Sequence, residues 1–169
     1  MGYCVKHVIE TDVDSLWRVF FDESVVRAML RDLGDPADFK IVEQHTDAQG
    51  LQHRRIECWS KVELPGFVTK LFGDGSYTEF GCYDAGRRRY SARCVPKHGA
   101  DKMGTTFEIT AVPVGDGSHC ERIIEVENTV KVFGIGGMIS GVLERTQRAS
   151  HDHSAQFLNE WLRGQRAAS

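Results

Sequence analysis

Residues able to carry chemistry are present in this 169-residue chain, but few stand at the spacings that chemistry uses. His151 and His153 lie two apart in a stretch of helical periodicity. On a helix they point about 200° apart and cannot readily share a metal ion. No pair of histidines four apart brackets a glutamate, the pattern of a helical zinc site. Ser150 precedes His153 by three residues, yet Asp152 projects to another face, so no acid orients the histidine and the serine is a weak candidate nucleophile. The cysteines at 4, 58, 82, 94 and 120 are odd in number and have no close pair. That argues against a disulfide framework or a zinc knuckle, and they read as reduced, mostly buried small hydrophobes. Gly134-Ile135-Gly136-Gly137 lacks the lysine and serine or threonine of a phosphate loop. It precedes a helix, so anion binding there is one use; chain reversal is the simpler one. Arg87-Arg88-Arg89 beside a tight turn reads as solvated charge, and His7 as a hydrogen-bonded structural histidine. The sequence therefore predicts no catalytic residue, no metal site and no cofactor.

What remains is a set of single polar or aromatic side chains on otherwise apolar faces. Asn128 is the one polar residue in the row Ile124, Val126, Asn128, Val130 and Val132. A buried amide needs partners for its two donors and its carbonyl, from side chains, water or a ligand. Arg54 shares a strand face with Ile56, Cys58 and Ser60, and Tyr90 shares one with Ala92 and Cys94. Trp17 anchors a short amphipathic helix. Thr146, Ser150 and His153, with Val142, fall along one long segment. These eight residues are the candidate ligand contacts.

The segment that would position them runs from Phe133 to Leu162. Ile135, Met138, Ile139, Val142 and Leu143 at one end, and Phe157, Leu158, Trp161 and Leu162 at the other, recur at helical spacing. Between them the expected face carries Thr146, Ala149, Ser150 and His153. Small and polar residues there imply a helix whose middle faces a space.

Upstream, Tyr3 to Glu10 alternates as a first strand. Two short amphipathic helices follow, with N-caps expected from Thr11-Asp12 and from Asp22-Glu23-Ser24, the second stopped by Gly34-Asp35-Pro36. Phe39 to Thr46 and Leu51 to Val62 form a hairpin, as do Ser76 to Asp84 with Arg87 to Val95, and Met103 to Val114 with His119 to Val132. Leu64 to Gly73 interrupts the strands. It is expected either as a short helix on the sheet edge or as a flap whose Phe67, Leu71 and Phe72 touch a ligand or, transiently, a membrane surface. Cys58, Ser60, Cys82, Ala92 and Cys94 are the small strand residues expected to face the helix.

Hydrophobic content of 41% and charged content of 27% suit one globular domain, placed at 1–164 with a flexible tail at 165–169. A net charge of −3 carries no basic footprint for nucleic acid. No apolar run reaches bilayer length and no signal pattern opens the chain, so a cytoplasmic location is expected.

The fold class read from this order is α+β: a curved seven-stranded antiparallel sheet wrapped around a long C-terminal helix, with two short helices after the first strand. The order resembles the START-like helix-grip superfamily, SRPBCC, which includes polyketide cyclases and lipid-transfer domains. Asp14-Ser15-Leu16-Trp17, Leu64-Pro65-Gly66-Phe67, Val130 to Ile139 and Trp161-Leu162 resemble one branch most, a START-like family of unknown function. A glutamate common in that branch near the start of the last helix is replaced here by Ile139-Ser140-Gly141. The resemblance covers residues 3 to 163 and its motifs are structural. It implies a cavity between sheet and helix that binds a hydrophobic small molecule such as a lipid, a sterol or a polyketide-like compound. A cyclase or hydrolase using His153 beside Asn128 or Ser150, and a non-catalytic scaffold, are the alternatives.

Overall fold

The computed structural model describes residues 2–33, 38–59 and 65–168. Strand β1 (Gly2–Ile9) is followed by helices α1 (Val13–Phe20) and α2 (Glu23–Asp32), then β2 (Asp38–Thr46) and β3 (Gln52–Trp59). Helix α3 (Gly66–Phe72) precedes β4 (Tyr77–Asp84), β5 (Arg89–Pro96), β6 (Met103–Val114) and β7 (His119–Val130). Helix α4 (Gly136–Ala167) closes the chain. The sheet is antiparallel with order β1-β7-β6-β5-β4-β3-β2. Strands consecutive in the chain are neighbours from β2 to β7, with α3 between β3 and β4, while α1 and α2 carry the chain from one sheet edge to the other. Asp12 caps α1 by accepting from the Ser15 amide, and Asp22 caps α2 through Ser24 and Val25. The expected stop of α2 at Gly34-Asp35-Pro36, Ser60, which the sequence expects to face the helix, and Lys61 to Leu64 lie outside the described residues.

Helix α4 packs on β1 and β7, and α2 also meets it. Its far end is fastened to β1. Asn159 accepts from the Glu10 amide and donates to the Val8 carbonyl, and Arg163 and Arg166 both pair with Glu10. The helix thus continues through residues 165–167, where the sequence predicts a tail. The helix phase differs from the expected one. Thr146 and Ala149 are exposed, and the side facing the sheet carries Leu143, Gln147, His151, Ser154 and Leu158. Val142-Leu143 and Phe157-Leu158 are adjacent apolar pairs, so two stripes one residue apart connect the ends equally well. Half-buried Gln147 and buried Ser154 bond polar partners on the sheet, which selects the second stripe.

Two further placements depart from the sequence reading. Strand β7 ends at Val130 rather than Val132, and Gly134, with φ of 78°, turns the chain into α4. Cys82 lies beside exposed Phe80 on the outer face of β4, because the alternation puts Glu79, Gly81 and Tyr83 inside. Polarity at Glu79 hides that phase, since its carboxylate is buried with partners.

The interior has two apolar parts. One gathers α1, β1, the middle strands and Leu158; the other joins Val68 and Phe72 of α3 to Ile139 of α4. Phe72, at 1% exposure, is therefore core, while Phe67 remains open to solvent. A polar belt crosses between helix and sheet. Asn128 donates to Gln147 at 2.7 Å and accepts from Thr105 at 2.7 Å, and Tyr3 donates to Gln147 at 3.0 Å.

Candidate functional site

Beneath α1 and α2 the sheet and α4 enclose a cavity of about 290 Å³. Volumes of roughly 300–1,000 Å³ are usual for small-molecule pockets, so this one is at the small end. Its α1–α2 wall is apolar, with Val26, Met29, Leu30 and Leu33 of α2 only half-buried because they face the void. Phe39, Ile41 and Ile56 close it from β2 and β3, and Phe107, Ile109 and Ile124 form the floor.

Glu79, Tyr90 and Arg54 make the first polar group within it. Strand register places Tyr83 beside Tyr90 and Gly81 beside Ala92. A Cβ at position 81 would stand 1.8 Å from Tyr90 Oη, so glycine is what lets the phenol cross β4. There Tyr90 accepts from Arg54 Nε at 2.7 Å and donates to Glu79. Arg54 also reaches Glu79 at 3.6 Å, and its guanidinium lies 4.6–5.1 Å from the ring centres of Tyr90, Phe20 and Phe21. Burial raises the Tyr90 phenol far above its ordinary range, so it stays protonated. Burial likewise pushes the Cys58 thiol up to about 11, which leaves a neutral, unreactive thiol in the wall.

Arg122 on β7 centres the second group. Its Nη2 donates to the His151 carbonyl and to Ser154 Oγ, both at 3.0 Å, and to His7 Nδ1 at 3.3 Å. His7 Nε2 in turn meets Asp152 at 2.8 Å. Burial first, then the Arg122 charge, lowers the His151 pKa to about 4, so that ring is neutral at ordinary pH. Burial also lowers Arg122, to about 10, and it stays charged.

Of the candidate contacts, Trp17, Arg54, Tyr90 and Ser150 line this cavity. Asn128 belongs to the polar belt, with Thr105 and Gln147 as partners. His153 bonds Asp32 of α2 at 2.8 Å, Thr146 is exposed and Val142 half-buried, and none of the three lines the cavity. Asn128, His153 and Ser150 are thus not assembled into one constellation. Glu79, Arg122, His151 and Ser154 are among the cavity residues that sequence reasoning missed. The alternation Cys120, Arg122, Ile124, Val126 carried the signal for Arg122, and Tyr77, Glu79, Gly81, Tyr83 the signal for Glu79. Among the described residues no cluster of three His, Cys, Asp or Glu side chains forms a metal site.

A family model described as protein of unknown function (DUF2505) matches residues 5–162. No curated protein matches the sequence. Among solved structures, the chain is similar to TTHA0849 from Thermus thermophilus, with TM-score 0.69 and 13% identity over 100% of both chains. Norcoclaurine synthase from Thalictrum flavum is similar with TM-score 0.61 and 15% identity, over 96% of this chain and 87% of that one. A START superfamily protein from Mycobacterium smegmatis is similar with TM-score 0.59 and 12% identity, over 96% and 97%. The fold is accordingly START-like. No helix among the described residues is long and apolar enough to cross a membrane.

Proposed function

We propose that this chain, which belongs to the DUF2505 family, binds a small hydrophobic molecule in the space beneath α1 and α2. The observation that carries the reading is the apolar cavity of about 290 Å³ with charged groups only at defined points of its wall. A cavity of about 150 Å³ takes benzene, so this one suits a guest of roughly two rings. A sterol or a two-chain lipid would require α2 to move outward. Burial of about 300 Å² of guest surface contributes about 7 kcal/mol before association costs. Apolar contact alone therefore gives micromolar affinity at best, and tighter binding needs polar contacts.

A turnover reading has less support. Tyr90 spends its proton on Glu79, His151 is a weak base, and the Cys58 thiol is held neutral. The void favours binding over a filled scaffold.

The test is titration with the neutral two-ring dye 1-aminonaphthalene, alongside mass spectrometry of material extracted from the purified protein. Saturable fluorescence gain at one dye per chain is expected, and its loss in Val26→Trp, which fills the cavity from α2. An unresponsive wild type with nothing extracted, or an equal response in Val26→Trp, would refute the reading.

A further inference from the structure

Among the described residues, two buried N–H groups on side chains that line this cavity have no acceptor. Trp17 Nε1 and Arg122 Nε are buried without a hydrogen-bond partner, on side chains only 5% and 6% exposed. Buried donors are nearly always satisfied, by protein, water or ligand. Both side chains line the same void.

The charges are also unequal. Arg54 and Arg122 each bring one positive charge to the wall. Glu79 returns one negative charge, already engaged by Arg54 and Tyr90. Glu23 stands at the rim and is held by Arg27. That leaves one positive charge over, and it resides on Arg122. Its three acceptors are a carbonyl, a hydroxyl and a ring nitrogen, all neutral. Asp152 acts on it only across His7: with Nε2–H donating to Asp152, Nδ1 is left to accept from Arg122. His151 adds no charge, and Cys120 beside Arg122 is a neutral thiol. A buried cation without a direct counter-ion is costly. Among the described residues all three of these bonds come from Nη2, so Nε and Nη1 have no acceptor, and the side chain lines a space the size of a small organic molecule.

We infer that the guest is a small aromatic carboxylic acid, bound as its anion, with its carboxylate accepting from the unengaged donors of the Arg122 guanidinium. Trp17 Nε1 serves a second acceptor on the same molecule, and the half-buried apolar face of α2 covers its ring system. The inference rests on the binding reading above and adds the charge and class of the ligand. It also explains how affinity rises beyond what apolar contact supplies, since charge-assisted hydrogen bonds are about twice as strong as neutral ones.

Calorimetric titration of the full chain with 2-naphthoate and its neutral counterpart 2-naphthamide tests it. Naphthoate is expected to bind at least about 10-fold tighter than the amide. In Arg122→Gln that advantage should vanish while amide affinity stays within about two-fold. Because Arg122 also ties His7, His151 and Ser154, the variant can fail to fold. The wild type then decides by itself: naphthoate affinity must fall as its own carboxyl group protonates, with no matching fall for the amide. Amide binding equal to naphthoate binding, or a naphthoate advantage that survives in Arg122→Gln, overturns the inference and leaves the cavity reading standing. Binding of neither probe overturns both.

Discussion

Alanine at position 81 is the sharpest perturbation this architecture offers. The new Cβ would lie 1.8 Å from Tyr90 Oη and 2.4 Å from its Cζ, far inside contact distance, so the phenol must swing off β4. It then loses the hydrogen bonds to Arg54 and Glu79. Bonds to charged groups contribute about 1.5–3 kcal/mol each. Replacing glycine within a strand returns about 0.5–1 kcal/mol. The net expectation for Gly81→Ala is a loss of about 2–5 kcal/mol. For a chain of this size each kcal/mol moves Tm by about 2–4 °C, so Tm should drop by about 5–20 °C. Urea unfolding of the single variants and of the double variant with Tyr90→Ala measures the coupling. With the phenol gone, alanine at 81 should be neutral or slightly stabilising. A single variant within about 0.5 kcal/mol of wild type, or the same loss with and without Tyr90, would refute the argument.

Two other outcomes are expected. Asn128→Leu removes the centre of the belt and strips buried partners from Gln147 and Thr105, so urea unfolding should show a loss of about 2–4 kcal/mol; a neutral effect would mean the belt contributes nothing. His151, ordinarily near 6.5 and lowered to about 4 in the fold, takes up protons more readily when unfolded. Its contribution is thus fully present above pH 6.5 and is lost as pH falls towards 4, by about 3 kcal/mol in all. The urea midpoint of wild type should decline across that window more steeply than that of His151→Phe, and parallel curves would contradict the assignment.

Element order was legible in the chain because turns, caps and alternation are local signals. Asp12, Asp22 and the three hairpin loops say where elements start and stop, and the START-like fold follows from their order. The polar interior was less legible. A charged residue inside a strand looks solvent-facing until its partner is known, and the partners of Glu79 and Arg122 come from other strands and from α4. Arg54 and Tyr90 were recognisable because each shares an apolar face. The phase of α4 was ambiguous by one residue for the reason given by its doubled apolar ends. Gly81 carried a readable clue, since glycine in mid-strand marks a close approach.

The belt through Asn128 and Gln147 has one more effect. It stands as a bulkhead: the cluster under α3, with Val68, Phe72 and Ile139 pressed together, is separate from the apolar cluster beside the void. Side chains of α1 and α2 can therefore be exchanged while the α3 compartment keeps sheet and long helix clasped. Under the proposed binding role, tailoring of the void is confined to one half of the molecule, and the other half serves as its foundation.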